Sequence, residues 1–242
     1  MKDVIAQVQG VELINQNVYQ VNLEIADTQF IAGQYLMIVL PTGEQVPYSI
    51  GSAPNELPNL TLYILVSDPE SLAHKVVEHI QNNPSITVKM PGGDCHLENG
   101  MLNSPAEHIL LIAGGTGFSQ IKSLHDTLVA NQFAGKISVY WGLRTVTDVF
   151  AKPWLEAIAE QPNVSLNVIV NDPSPEWQGR TGWLYESVLA DHADLSQYKA
   201  VISGSVGMVY GTLDQLELKG LSKDNCYSDV FAYAPHPDKP QL

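Results

Sequence analysis

Two rhythms of apolar and polar positions run along this chain, and one gives way to the other between about residues 90 and 105. In the first, short alternating stretches at 4–13, 18–25, 34–40, 46–52 and 60–66 are separated by turn residues such as Pro41, Gly43, Pro54 and Pro58. Strands so short and evenly spaced predict a small antiparallel barrel. One helix interrupts them. Ser71 is placed to cap it, and Leu72, Val76, Val77 and Ile80 fall near one face, which predicts a cover over one open end of the barrel. In the second rhythm, apolar runs at 109–113, 137–141, 165–170, 200–203 and 228–233 alternate with helical stretches at 118–130, 153–161, 183–190 and 207–217. Such βα repetition predicts a parallel sheet with helices on both faces. The expected fold class is therefore α/β plus β: an N-terminal antiparallel β-barrel over residues 1–104, then a Rossmann-like parallel α/β sheet over residues 105–242. Residues 235–240 read as a loose end past the last strand.

The predicted strand ends carry the candidate chemistry. The run 109–113 empties into Gly114, Gly115, Thr116 and Gly117, and a helix follows directly. A strand that passes through glycines into a helix leaves free backbone N–H groups and a positive dipole end facing one point, which suits a pyrophosphate. The same glycines also serve a tight strand-to-helix turn for purely steric reasons. Further glycines, Gly142 after the second strand and Gly204 and Gly207 after the fourth, collect on the same edge, where parallel sheets bind ligands.

Composition narrows the partners. With 242 residues and 45% hydrophobic content, the chain can bury two compact cores. Twelve Lys+Arg against 26 Asp+Glu give a formal charge of −14, which repels nucleic acid and anionic membranes. No apolar run reaches membrane-spanning length, and residues 1–6 lack the long apolar stretch of a leader, so a soluble cytoplasmic protein is expected. Cys95 and Cys226 stand alone, and His74 and His79, five apart, miss the spacing of a helical metal pair, so no metal site is expected.

Several motifs, in order, resemble the ferredoxin–NADP reductase superfamily, and within it the bacterial NAD(P)H-flavin reductases, including those that serve luciferases. Pro47-Tyr48-Ser49-Ile50 resembles the barrel motif whose serine and aromatic residue lie against the isoalloxazine ring, and Gly33-Gln34-Tyr35-Leu36 resembles the strand that precedes it. Gly114-Gly115-Thr116-Gly117-Phe118-Ser119 and Tyr140-Trp141-Gly142-Leu143-Arg144 resemble the nucleotide-side loop and second strand. Residues 177–182 and 228–233 complete the match. The resemblance implies a flavin site at Pro47, Tyr48, Ser49 and Ile50, with Ser49 the catalytic hydroxyl at flavin N5. It implies a nucleotide site at Gly114, Gly115, Thr116, Gly117, Arg144, Gly204 and Met208. The implied cofactors are NADH or NADPH with FAD, FMN or riboflavin, and the implied partner is a flavin-using oxygenase or luciferase.

Val46 stands where the family carries an arginine that reaches the flavin phosphate or ribityl chain. Its absence removes a charge-assisted contact of roughly 1.5–3 kcal/mol and favours a loosely held flavin. Two other readings remain open: an electron-transfer flavoprotein of an oxygenase system, and a catalytically decayed binding subunit. Arg144 could receive a ribose 2′-phosphate, which would admit NADPH, or could simply pair with Asp148 on the surface.

Overall fold

The computed structural model describes residues 1–98 and 108–237; the expected boundary between residues 104 and 105 lies outside them. The N-terminal part is built from β1 (Lys2–Leu13), β2 (Val18–Glu24), β3 (Tyr35–Val39), β4 (Gln45–Ser49), β5 (Asn59–Leu65) and β6 (Ser85–Gly92). They form one antiparallel sheet in the order β4-β3-β6-β1-β2-β5. Alternation decides the inward side of each strand: Val21 and Leu23, Leu36 and Ile38, and Leu60, Leu62 and Ile64 meet in a single core. The sheet curls until its edges meet, where the Gly51 N–H just past β4 donates to the Thr61 carbonyl of β5 at 2.7 Å. That approach requires glycine, since a Cβ there would stand 2.9 Å from the Tyr63 ring.

α1 (Leu72–Gln81) adds Val76, Val77 and Ile80 to the barrel core. Its cap is the Ser71 hydroxyl, which accepts from the His74 N–H at 3.2 Å. Leu72, expected on the packed face, is exposed instead. β6 is a strand beyond the five expected, in which Ile86, Val88 and Met90 alternate inward with Thr87 and Lys89 outward. It lies inside the sheet between β3 and β1, and Pro91 near its end masks its character.

The second part is a parallel sheet of β7 (His108–Gly114), β8 (Lys136–Thr145), β9 (Val164–Asp172), β10 (Arg180–Thr181), β11 (Tyr198–Ser203) and β12 (Cys226–Tyr227), ordered β10-β9-β8-β7-β11-β12. α2 (Phe118–Ala130) and α3 (Lys152–Ala159) pack on one face. α4 (Leu184–Asp191) and α5 (Val206–Glu217) pack on the other. β7 reads as an unbroken apolar run because both of its sides are buried: Ile109 and Leu111 face α2, and Leu110 and Ile112 face α5.

Residues 228–233 are not a strand. β12 ends at Tyr227, and the chain turns into a short helix, α6 (Val230–Tyr233), in which the Ala232 N–H reaches the Asp229 carbonyl at 3.1 Å. Four successive apolar residues do not separate a strand from one helical turn. Residues 234–236 beyond α6 are tied down rather than loose, since the Tyr210 hydroxyl donates to the Ala234 carbonyl at 2.6 Å and His236 Nε2 lies 3.0 Å from Asp214 Oδ2; residues 238–240 of the expected loose end lie outside the described residues.

α2 joins the two halves. Phe118, Ile121 and Leu124 share a core with Val18, Ala32, Tyr63 and Cys95 of the barrel. The Tyr63 ring meets Phe118 edge-on and stacks with Phe150, each at 5.3 Å. The Ser123 hydroxyl donates to the Ser52 carbonyl at 2.7 Å. Among the described residues, no helix is long and apolar enough to cross a membrane.

Candidate active site

A cavity of about 470 Å³ opens where the end of β4 faces the C-terminal end of β11. Its barrel wall follows from strand period and register. Ser49 pairs with Tyr35 and Pro47 with Met37 across β4 and β3, and all four side chains line the cavity. Ile50 lies in the barrel core, with Val46 and Tyr48 packed against it. Burial pushes the Tyr48 phenol up to about 12. The structure therefore brings Pro47 and Ser49 to the cavity and sets Tyr48 and Ile50 against the barrel interior. Tyr35 and Met37, not singled out as site residues by sequence, could have been found from the β3–β4 register.

The opposite wall is Ser203 and Gly204 at the end of β11, with Asp229, Val230, Ala232 and Tyr233 around α6. Gln120 of α2, 1% exposed, forms the floor; its Nε2 donates to the Gly33 carbonyl and to Asp229 Oδ2, each at 2.8 Å. Asp229 is the most perturbed carboxyl in the cavity. Burial raises it from its ordinary value to about 6, Asp94 pushes the same way, and the bonds from Gln120 and the Cys95 backbone oppose. Sequence reading passed over Asp229 because it took residues 228–233 for a strand. Both thiols are buried, and burial moves them upward, Cys226 to about 12.

A second cavity, about 330 Å³, lies beside the glycine loop, bounded by Gly115, Thr116, Gly142 and Arg144 and by Asn15 and Leu65 of the barrel. The loop's glycines divide by role. Gly115 has φ +55° with nothing near the position of a Cβ, and the Trp141 indole donates to its carbonyl at 2.9 Å. Gly117 instead presses on the Ser203 carbonyl, where a Cβ would clash. No side chain caps the start of α2, where the Phe118 N–H donates instead to the Gly115 and Thr116 carbonyls of the preceding 3-10 turn. Met208 lies across Gly114 and Gly204 and lines neither cavity. Arg144 does not pair with Asp148, whose Oδ2 accepts from the Thr145 N–H and hydroxyl at 2.8 and 2.9 Å. Its Nε reaches Asp172 Oδ2 at 3.4 Å.

An antiparallel barrel joined through one helix to a parallel sheet, with a cavity at their junction, defines the ferredoxin reductase-like class of two-domain oxidoreductase. The fold matches an Amycolatopsis cytochrome P450 reductase with a TM-score of 0.86 at 22% identity, over 94% of this chain and 69% of that one. It matches the cytochrome b5 reductase domain of Ulva prolifera nitrate reductase with a TM-score of 0.77 at 18% identity, over 94% and 97%. Residues 111–214 match the oxidoreductase NAD-binding domain. The chain is 31% identical over 235 residues to an NAD(P)H-flavin reductase of Vibrio harveyi, covering 94% of this chain and 98% of that protein. It is 30% identical over 234 residues to an NAD(P)H-flavin reductase of Aliivibrio fischeri, with the same coverage. The chain belongs to the NAD(P)H-flavin reductase family.

Proposed function

We propose that this protein oxidises a reduced nicotinamide dinucleotide and passes the hydride to N5 of a flavin (riboflavin, FMN or FAD) held as a dissociable substrate. The observation that carries the reading is a single cavity walled by Ser49 on one side and Gly204 on the other. Its volume lies within the range of small-ligand sites, about 300–1,000 Å³. Tyr35, Met37, Pro47 and Val230 supply apolar surface for a flat ring, and Ser49, Asp94, Gln120, Ser203, Ser228 and Asp229 set polar groups around it.

The flavin supplies the two-electron acceptor: hydrogen and both electrons leave C4 of the nicotinamide, the nucleotide departs oxidised, and water provides the balancing proton. The protein needs no strong acid or base for this step, only alignment. Ser49 orients the flavin by a hydrogen bond at N5 and keeps the ring against the barrel wall. Gly204 lets the nicotinamide approach without a side chain between. Gly115 and Thr116, which border the second cavity, receive the diphosphate. Gln120 fixes Asp229, which holds a proton beside the cavity up to about pH 6.

Val46 in place of a phosphate-binding arginine supports release of the reduced flavin to a separate acceptor, such as an oxygenase or luciferase. Reduced nicotinamide nucleotides are cytoplasmic reagents, which supports a cytoplasmic site of action. The test is to mix the purified protein with NADH or NADPH and each flavin in turn and follow the dihydronicotinamide absorbance. Oxidation that requires added flavin is the expected result. No oxidation with any flavin would overturn the reading, and a preparation that stays yellow with stoichiometric flavin would identify an electron-transfer component instead.

A further inference from the structure

We propose that Tyr210, Asp214 and His236, none of which lines either cavity, are positioning residues for hydride transfer: they clasp the chain beyond α6 to α5 and so hold one wall of the larger cavity in place. The inference rests on the flavin-reductase reading and names residues that reading does not use. Asp229, Val230, Ala232 and Tyr233 belong to that wall. Its scaffold, α6, is one turn of four residues, too short to keep a helical shape by its own hydrogen bonds.

The two ends of the turn are held differently. Upstream, β12 pairs in parallel with β11, and Gln120 Nε2 donates to Asp229 Oδ2 at 2.8 Å. Asp229 is thereby fixed. Ala232 and Tyr233 are exposed, and their position depends on the segment that follows them.

Downstream, three contacts converge on α5. The Tyr210 hydroxyl donates to the Ala234 carbonyl at 2.6 Å. The Tyr210 ring stands between those of Phe231 and His236, with centroids 5.5 and 4.5 Å away. His236 Nε2 meets Asp214 Oδ2 at 3.0 Å. Tyr210 and Asp214 are four positions apart on α5 and so share one of its faces. Tyr210 is 6% exposed and the His236 side chain 11%, so the clasp is sheltered from water, which would otherwise compete for its hydrogen bonds. Phe231 packs on Tyr210 while Val230 and Ala232 on either side of it line the cavity. The turn is gripped from behind and presents its other residues in front.

This wall stands with Gly204 on the sheet side, where the nicotinamide approaches, and the flavin rests on the opposite wall at Ser49. A small displacement of α6 therefore misaligns donor carbon and acceptor nitrogen. Loosening the clasp acts on the nucleotide and on the transfer step, and spares the flavin.

The test compares wild type, Tyr210→Phe, His236→Ala, His236→Gln and the double variant Tyr210→Phe/His236→Ala in steady-state kinetics with NADH and riboflavin. Amide hydrogen exchange of the unliganded proteins, which needs no turnover, runs in parallel. Tyr210→Phe keeps the ring and loses only the bond to Ala234, and His236→Gln keeps an N–H donor for Asp214. Tyr210→Phe and His236→Ala should each lower kcat/KM for NADH by about fivefold to tenfold, with the riboflavin KM changed by less than about twofold. Their effects should not multiply in the double variant, because either change releases the same segment, and His236→Gln should recover most of the loss. Exchange should rise at residues 230–234 in both single variants and stay unchanged elsewhere. Wild-type kcat/KM in both variants, unchanged exchange at 230–234, multiplied losses in the double variant, or a riboflavin KM that rises as far as the NADH efficiency falls would overturn the clasp. In each of these cases flavin-dependent oxidation by the wild type leaves the flavin-reductase reading intact. A wild type that oxidises neither NADH nor NADPH with any flavin would overturn both.

Discussion

Ser49 and Asp229 carry the two predictions that belong to single side chains. Replacing Ser49 by alanine removes one hydrogen bond at the position proposed for flavin N5 and should lower kcat roughly tenfold, with a smaller change in flavin KM, as steady-state kinetics would read. Equal kcat in the variant would remove Ser49 from the chemistry. Asp229 titrates at about 6 in the folded protein against 3.8 when unperturbed, so the folded state binds its proton more tightly. Stability contributed by this group therefore falls as pH rises from about 4 to 6, and the cost is complete above that window. Asp229→Asn removes the cost. Urea denaturation should show the variant more stable than wild type at pH 8, by up to roughly 3 kcal/mol, with the difference gone by about pH 4. A difference that does not vary with pH would show that burial does not hold Asp229 in its neutral form. At this scale the sequence marked Ser49 through its motif, but it could not separate Ser49 from Tyr48. That separation needs the face of β4, which only the pairing with β3 fixes.

At the scale of elements, most of the strand and helix plan was legible because each run has one dominant period. The exceptions are instructive. β6 alternates as cleanly as its neighbours, yet its outward residues are polar and it ends near a proline. α6 fell within an apolar tetrad too short to show a helical period. Placing Asp229, one of two aspartates that line the cavity, depended on that last element. The glycine loop left two explanations standing, a phosphate cradle and a tight turn; the structure shows the close packing of a tight turn at Gly117 and open space at Gly115, where the cradle is proposed. Gly117→Ala meets the Ser203 carbonyl and should cost roughly 1–3 kcal/mol in chemical denaturation. Gly115→Ala meets nothing, so its cost is the positive φ alone, about 1 kcal/mol, and its main effect should be a raised KM for the nucleotide. Reversal of these two effects would assign the loop the opposite way.

Across the whole molecule, the two domains share a core through α2, so the Ser49 wall and the Gly204 wall are held by packing rather than by a linker. What no motif could supply is how distant segments meet: Asp172 beside Arg144, and Gln120 bridging Gly33 and Asp229. Among the described residues, those lining the 470 Å³ cavity include aspartates and neither lysine nor arginine. With no cation to hold a phosphate there, riboflavin should be used at a KM no higher than that for FMN or FAD, and a markedly lower KM for FAD would place a phosphate contact elsewhere. The central claim, direct hydride passage between two rings held in that cavity, is tested most directly by anaerobic single-turnover reduction of riboflavin with NADH deuterated at C4. The account predicts that flavin absorbance is lost in one phase, slowed by deuterium and slowed again in Ser49→Ala. Binding of both ligands without flavin reduction, or reduction at the wild-type rate in Ser49→Ala, would contradict it.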